Sequence, residues 1–215
     1  MSPVGTYKLL GQAGWGSALA EAALTLAERP FVFEDVEVRG TPAERGALMR
    51  YNPLCEVPTL VLPNGKVMTE SAAIMLHLAD VAPGAGLVPL AAGERRDEFL
   101  RWLAFLIAAI YPTFTYGDVP SRYVTGKAAE DALRASTDAA RQRYWSIFEA
   151  GITPSPWALG DFTALDIYVT VMVHWRPGRD WFKANCPKLD AVAERGLALP
   201  KLKGVWAHNE FLAPA

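Results

Sequence analysis

The stretch LCEVPTLVLPNGKVMTESAAI, residues 54–74, contains two short apolar runs joined by a turn and ends at the start of a helix. The runs PTLVL and KVMT flank Asn64 and Gly65, a pair that tolerates the positive φ angles of a tight hairpin turn. They therefore predict two antiparallel strands. ESAAIMLHLAD follows with helical composition, so Glu70 and Ser71 are expected at a helix N-terminus.

Upstream of this stretch, the chain predicts a β-α-β unit and a second helix. TYKLLG and FVFEDVEV read as strands, and SALAEAALTLAER between them has the composition and apolar spacing of a helix. In TPAERGALMRYN, Thr41 can cap a helix whose capping box is completed by Glu44. This order of elements places parallel and antiparallel strands in one small mixed four-stranded sheet.

Downstream, the pattern changes from strands to helices. VAPGAGLVPLAAG is rich in Gly, Pro and Ala without a period, and it predicts a linker over residues 81–93. From Glu94 onward the segments have a period of 3.6 residues and no convincing strand. We therefore expect an α/β domain over residues 1–80 and an all-helical domain over residues 94–215.

Three patterns in the second half make predictions about helix ends. Pro112 is expected to kink or end the first long helix. DWFKANCPKLDAVAERGLAL reads as one helical segment. In GDFTALDIYV, Thr163 and Asp166 have the spacing of a capping box, which is a structural feature and not a catalytic one.

The composition excludes several classes of function. The 215 residues have a formal net charge of −2 and no run of Lys and Arg, so nucleic acid is not an expected partner. The longest apolar run, Trp102–Pro112, is shorter than the roughly 18 residues of a membrane-spanning helix, and no secretory leader is visible. Two distant cysteines and three scattered histidines form no disulfide framework or metal-ligand pattern. A cytoplasmic protein without a metal site is expected.

The succession of motifs resembles that of the cytosolic glutathione S-transferase superfamily, particularly its bacterial members. An Asn-Pro pair at residues 52–53, VPTL at residues 57–60, the hairpin and ESAAI at residues 70–74 occur in the family's order, and the similarity extends more weakly over the rest of the chain. The resemblance implies a thioredoxin-like domain beside the helical domain, glutathione as cosubstrate, a homodimer, and a transferase activity in detoxification.

Val57 and Pro58 are implied by this resemblance to bind glutathione. Proline tolerates a cis peptide bond better than other residues, so a Val-Pro step can turn the backbone outward at the start of a strand. In the family this bond is cis, and the Val57 backbone is implied to pair with the cysteinyl backbone of glutathione like an added strand. The alternative is an edge-strand proline without a ligand.

Glu70 and Ser71 are implied to hold the γ-glutamyl end of glutathione. The free N–H groups and the positive dipole of a helix N-terminus favour a carboxylate, which Ser71 can bind while Glu70 faces the ammonium group. The alternative is structural: Ser71 or Thr69 caps the helix and Glu70 offsets its dipole.

The first β-α turn, GQAGWGS at residues 11–17, departs from the family pattern. The serine of many such transferases aligns with Gly14 and the cysteine of a bacterial class with Gly16, so only Ser17 offers a hydroxyl. We expect Ser17 to bind glutathione and to act catalytically by supporting its thiolate, while also serving as the N-cap of the helix. Trp15 either walls the substrate pocket or packs under the loop.

The electrophile is expected to bind between the two domains. Tyr111 and Tyr116, on the first long helix of the second domain, are candidate pocket residues, and their surroundings suggest a small hydrophobic, apolar or aromatic, co-substrate. Two other functions remain open. One is a non-catalytic glutathione-binding or structural protein, in which Gly14 and Gly16 stand where the catalytic residue has been lost. The other is a glutathione-dependent reductase of disulfides or peroxides. In a reductase, Cys55 could form a mixed disulfide with glutathione.

Overall fold

The computed structural model describes residues 5–89 and 93–212. Its first half alternates strands and helices in the predicted order: β1 (Tyr7–Gly11), α1 (Ser17–Leu26), β2 (Phe31–Asp35), α2 (Pro42–Met49), β3 (Thr59–Val61), β4 (Val67–Met68) and α3 (Ser71–Val81). The strands form one sheet in the order β2-β1-β3-β4. β1 is parallel to β2 and antiparallel to β3, and β3 is antiparallel to β4, so the predicted mixed sheet is confirmed.

The central strand β1 sends alternate side chains into two separate cores, because neighbours along a strand point to opposite faces of the sheet. Leu9 belongs to the main core together with buried side chains of α1 and α3. Leu10 packs on the other face with Val38, Leu48 of α2 and Cys55. The loop that carries Cys55 is thereby fixed against the sheet on the side of α2.

The hairpin between β3 and β4 has one residue in the left-handed region. Gly65 has a φ of 82°, whereas Asn64 is not among the residues with positive φ. The Asn64 side chain instead accepts the backbone N–H of Lys66 at 3.0 Å, which is the usual role of asparagine in a turn.

The second half is helical, as predicted: α4 (Glu94–Phe105), α5 (Tyr111–Asp118), α6 (Lys127–Gly151), α7 (Ala164–Met172), α8 (Arg179–Asn185), α9 (Pro187–Leu197) and α10 (Lys203–His208). The segment predicted as one helix near the C-terminus is two, α8 and α9. Cys186 separates them with a φ of −137° and a ψ of 60°. Pro187 begins α9, because proline suits the first helical turn and disfavours helical geometry in the residue before it.

Pro112 was predicted to kink or end the first long helix, and the helix does not end there. Residues Leu106–Ile110, between α4 and α5, form a π-helical turn that ends with the N–H of Tyr111 bonded to the carbonyl of Leu106. Pro112 follows at the start of α5, and the helix continues past it to Asp118. A π turn is a rare local widening of a helix and often lies at functional sites.

The run from α4 through α5, Glu94–Asp118, is long and apolar enough to cross a membrane by length and composition alone. Core helices of soluble proteins pass the same test. The inner face of this run is packed into the main core, with Phe99, Trp102 and Leu106 fully buried.

Both predicted capping boxes are present. The Thr41 N–H donates to Glu44 at 2.7 Å, and the Thr163 N–H donates to Asp166 at 2.7 Å. Asp166 is fully buried, and its second carboxylate oxygen accepts the N–H of Ala158 at 2.9 Å. Burial raises the pKa of Asp166 to about 6, although these hydrogen bonds oppose the change.

The helical half packs directly on the α/β half. The Ala164 N–H at the start of α7 donates to the carbonyl of Leu87 at 2.8 Å, and α7 and α10 contact α1. Of the predicted linker over residues 81–93, residues 90–92 lie outside the described residues. The domain boundaries at 80 and 94 remain a prediction.

Candidate functional site

A cavity of about 650 Å³ lies where the α/β half meets α5. This volume is within the usual range for small-molecule sites. Four of the residues expected to bind glutathione line it: Val57, Pro58, Glu70 and Ser71. The structure therefore brings together residues from the start of β3 and from the N-terminus of α3, on one side of a single cleft.

The segment of residues 52–59, called here the Val-Pro segment, is held by a buried asparagine. The Asn52 amide donates to the carbonyl of Glu56 at 3.0 Å and to the hydroxyl of Thr59 at 3.1 Å. Thr59 donates in turn to the carbonyl of Glu56 at 2.9 Å. The bond between Val57 and Pro58 is cis. Within residues 5–89 and 93–212, the Val57 N–H and carbonyl have no hydrogen-bond partner, so both are free for a ligand.

Glu70 and Ser71 begin α3 in an unusual backbone conformation. Glu70 has a φ of 64°, a region that non-glycine residues seldom occupy, and its side chain does not cap the helix. Such conformations cost free energy and are concentrated at ligand sites. Glu70 is the N-cap residue, and Ser71 and Ala72 in the first turn of α3 also line the cavity, so a helix N-terminus that favours an anion lies at its wall.

The Ser71 hydroxyl is positioned by a residue that sequence reasoning missed. It shares a 2.6 Å hydrogen bond with the hydroxyl of Tyr168 on α7. Tyr168 is fully buried, and burial raises its pKa, so its hydroxyl remains protonated. Nothing local to Tyr168 signals this contact, because its partner lies 97 positions away in the sequence.

Arg45 of α2 is a second residue that sequence reasoning missed. It lines the large cavity, and its Nε is buried without a hydrogen-bond partner in the described part of the chain. Arg122 also lines this cavity, but its guanidinium is bonded to Glu56 at 2.8 Å. Arg45 is therefore the cation more readily available to an anionic ligand group.

Residues 12–16, called here the glycine loop, connect β1 to α1. Ser17 follows the loop and does not line the large cavity. Ser17 is fully buried; its hydroxyl donates to the Gln12 carbonyl at 2.7 Å and accepts the Gln12 N–H at 3.0 Å. It is also not the N-cap, a position held by Gly16. These contacts argue against Ser17 as the thiolate donor, because its proton is already used to close the glycine loop.

The helical half holds the glycine loop from two directions. The Gly14 N–H donates to the side chain of Asn209 at 2.9 Å, and the Gly14 carbonyl accepts the indole N–H of Trp175 at 2.9 Å. Asn209 is buried and donates to the carboxylate of Glu21 at 2.8 Å. The peptide at Gly14 is therefore fixed by residues near the other end of the chain.

A second cavity of about 310 Å³ adjoins the first, and Tyr111 and Val57 line both. Trp15 lines the second cavity, with the Arg39 guanidinium 4.5 Å above its ring, so the alternative in which Trp15 only packs under the loop is not supported. The cavity is both aromatic and charged. Its further lining includes Phe114, Trp175, Asp118 and Arg176.

Tyr116 is not brought to either of these two cavities. It is 44% exposed, and its ring packs edge-on against Tyr123. The two tyrosines of α5 are five positions apart, which on a helix of 3.6 residues per turn places them on different faces. The expectation that Tyr116 lines the substrate pocket is therefore not supported.

Comparisons with known proteins point to one family. The family model described as glutathione S-transferase, N-terminal domain, matches residues 20–81. The chain is 38% identical over 207 residues to the GST-like protein YncG of Escherichia coli K12, covering 95% of this chain and 99% of the relative. It is 33% identical over 155 residues to the glutathione S-transferase GST-4.5 of Xanthomonas campestris, covering 70% and 74%.

Solved structures share the fold over nearly the whole chain. A sphingomonad glutathione S-transferase complexed with glutathione has a TM-score of 0.76 at 25% identity and covers 95% of this chain and 100% of its own. A glutathione transferase homologue from Sulfitobacter, with bound glutathione, has a TM-score of 0.84 at 23% identity and covers 94% and 97%.

Proposed function

Because the chain belongs to the glutathione S-transferase family, we propose that it binds glutathione in the larger cavity and activates its thiol for attack on an electrophile in the smaller one. The observation that carries this proposal is the arrangement of the two cavities. Val57, Glu70 and Ser71 line the 650 Å³ cavity, and the 310 Å³ cavity opens beside Val57 and Tyr111.

Each charged or polar part of glutathione has a counterpart in the larger cavity. The free N–H and carbonyl of Val57 suit the cysteinyl backbone, as one more strand at a sheet edge. Ser71 and the N-terminus of α3 suit the γ-glutamyl carboxylate, and Glu70 suits its ammonium group. Arg45 suits the glycyl carboxylate, because it lines the cavity and, unlike Arg122, forms no salt bridge among the described residues.

The proposed reaction is a nucleophilic substitution or addition by the glutathione sulfur. The thiol releases its proton to solvent, and the thiolate forms a carbon–sulfur bond with the electrophile. In a substitution, the leaving group departs with the electron pair of the broken bond. The aromatic walls of the smaller cavity favour an apolar or aromatic electrophile.

We further propose a homodimer in the cytoplasm. Support comes from the family and from Leu54, an apolar side chain 70% exposed beside the larger cavity, which a second subunit could cover. Sedimentation of the purified protein tests this part of the proposal: a monomer at micromolar concentration would contradict it.

Calorimetric titration with glutathione tests the binding site, and two glutamates provide a matched pair of variants. Glu70 and Glu28 are both exposed and both have positive φ, 64° and 52°, but only Glu70 lines the cavity. Glu70→Ala should weaken binding by roughly 1 to 3 kcal/mol, because the ligand's ammonium group loses its counter-charge. Glu28→Ala should leave the affinity unchanged. Equal effects of the two variants would show that Glu70 does not contact the bound glutathione.

Turnover is tested separately with an aryl halide, a hydroperoxide and a mixed disulfide of glutathione. Conjugation of the aryl halide supports the proposed transferase. Binding of glutathione without turnover of any of the three would favour a non-catalytic protein instead. Cys55 lines the larger cavity, so a glutathione adduct on Cys55 after treatment with oxidised glutathione, together with turnover of the disulfide, would favour the reductase.

A further inference from the structure

The glycine loop contains no side-chain hydroxyl or thiol that could support a thiolate. It reads QAGWG, and the hydroxyl of Ser17 next to it is used by the backbone of Gln12. If the chain activates glutathione as proposed above, a hydroxyl donor has to come from another part of the molecule. We infer that this donor is Tyr111, whose hydroxyl binds the glutathione sulfur from the helical half.

The position of the Tyr111 hydroxyl relative to Gly16 is the first support. A side chain at residue 16 would begin only 2.2 Å from the Tyr111 oxygen and 3.3 Å from the Val57 carbonyl oxygen. The Tyr111 hydroxyl thus occupies the space where a residue-16 side chain would otherwise lie. Gly16 is required there, because any larger residue would collide with the phenol.

The reach of the ligand is the second support. If the cysteinyl backbone of glutathione pairs with Val57, its sulfur lies two covalent bonds from that backbone. Groups beside the Val57 carbonyl are therefore within hydrogen-bond reach of the sulfur. Tyr111 is such a group, and it lines both the glutathione cavity and the cavity proposed for the electrophile. A thiolate held by Tyr111 would thus lie where the two ligands meet.

The surroundings of Tyr111 suit a neutral donor. Among the described residues no group forms a hydrogen bond with its hydroxyl, so the proton is free for a ligand. Tyr111 is partly buried, and this burial, with smaller contributions from Tyr168 and from the carboxylates of Glu56, Glu70 and Asp118, raises its pKa, so the phenol remains protonated beside a thiolate.

The ring of Tyr111 is also held in place. It packs edge-on against Trp175, with ring centroids 5.7 Å apart, and Trp175 is anchored to the carbonyl of Gly14. The π turn of Leu106–Ile110 ends at Tyr111 and shifts the helical phase at this residue. These contacts fix the direction of the hydroxyl before a ligand arrives, which strengthens a hydrogen bond to charge that develops at the sulfur.

The chemical role of Tyr111 is limited to one hydrogen bond to the glutathione sulfur. The thiol proton leaves to solvent, Tyr111 keeps its own proton, and its O–H donates to the sulfur anion. A charge-assisted hydrogen bond of this kind favours the thiolate over the thiol and does not change how tightly the rest of the tripeptide binds.

The test compares Tyr111→Phe with Tyr144→Phe, a tyrosine of α6 that lines neither cavity. The ultraviolet absorbance of the thiolate in the glutathione complex is titrated against pH, and the affinity for S-methylglutathione, which has no thiol, is measured in parallel. For Tyr111→Phe we expect the ratio of thiolate to thiol at a given pH to fall about tenfold, so that the thiol titrates about one pH unit higher, with the affinity for S-methylglutathione unchanged. Tyr144→Phe should change neither quantity.

A second variant distinguishes a donor from a packing residue. Replacing Tyr111 by 3-fluorotyrosine keeps the ring and makes the phenol a stronger acid, so the thiol of bound glutathione should titrate at a lower pH. An unchanged thiolate titration in Tyr111→Phe, in a protein that still binds glutathione, would overturn this inference and leave the proposed function intact. Failure of the unmodified protein to bind glutathione would instead overturn the proposed function.

Discussion

The Val-Pro segment and the glycine loop face the same cleft but are held in opposite ways. In the Val-Pro segment, Asn52 bonds to Glu56 and Thr59, partners within seven positions in the sequence. In the glycine loop, Gly14 is bonded to Trp175 and Asn209, 161 and 195 positions away. The first region is therefore organised by local sequence, whereas the geometry of the second depends on the packing of the helical half.

This difference separates the groups proposed to bind glutathione from the group inferred to activate its thiol. The groups that suit the glutathione backbone belong to the α/β half, and the phenol inferred to hold its sulfur comes from α5. Disturbing the contacts between the halves should therefore damage thiol activation and stability more than it damages binding. Four predictions test that expectation, and they are arranged by the size of the expected effect.

The largest effect is expected for Asn209→Ala. This change removes the acceptor of the Gly14 N–H and one of the donors to the buried carboxylate of Glu21, which leaves both without those partners. Buried polar groups without partners are costly, so the free energy of unfolding should fall by about 3 kcal/mol. Urea denaturation measures this. Asn185→Ala, at an exposed helix end, is the control and should cost less than about 0.5 kcal/mol.

Asp166 lies at the start of the helix that carries Tyr168. We expect it to change the free energy of unfolding by about 2 kcal/mol between pH 4 and pH 7. Its pKa is about 6 in the folded protein against 3.8 for the ordinary group. Between these values the folded state binds more protons than the unfolded state, so stability falls as the pH rises. The difference in unfolding free energy between the unmodified protein and Asp166→Asn should therefore decrease from pH 4 to pH 7.

The lowered pKa of His174, about 4, acts in the opposite direction over the same range, because burial disfavours its charged form. This contribution is common to the unmodified protein and Asp166→Asn, so it cancels in the difference. A difference that increases with pH would mean that the hydrogen bonds to Asp166 outweigh its burial.

Ser17→Ala should cost between about 1 and 2 kcal/mol of stability, because the N–H and carbonyl of Gln12 lose a buried partner. The thiolate signal of bound glutathione should remain, since the Ser17 hydroxyl is not directed to the cleft. Thermal unfolding and ultraviolet titration measure the two quantities. Loss of the thiolate signal without loss of stability would restore Ser17 as the donor and contradict the comparison between the two regions.

The smallest effect is expected for Tyr168→Phe, which removes the partner of the Ser71 hydroxyl but keeps the aromatic ring. Ser71 would then be less well oriented, and the affinity for glutathione should fall by about 1 kcal/mol, or roughly fivefold. Calorimetric titration measures this. An unchanged affinity would show that the α/β half binds the ligand without help from α7.

Local sequence patterns were sufficient for the fold and for one side of the site. The hairpin, the two capping boxes and the cavity-lining residues Val57 and Glu70 each depend on neighbours a few positions away, so their patterns could be interpreted without a structure. The helix break at Cys186 also had a local signal in Pro187, which the helical period of the surrounding segment obscured.

The other side of the site could not be predicted in this way. Ser17 carries the hydroxyl expected of a donor, but this hydroxyl donates to the carbonyl of Gln12. That contact depends on the path of the glycine loop, which the sequence does not reveal. Arg45, Tyr168 and Asn209 have no recognisable motif. Pro112 was expected to kink or end a helix, whereas the helix continues past it, with a π turn before it that ends at Tyr111.

Tyr111 borders both cavities, so under the inference above one helix would determine both the reactivity of the thiol and the choice of electrophile. If the helical halves of related chains were exchanged, the Tyr111 phenol would be transferred together with the helical residues that line the electrophile cavity. Nucleophile strength and substrate preference would then be inherited as a unit, and residue 16 would have to stay small in every recipient.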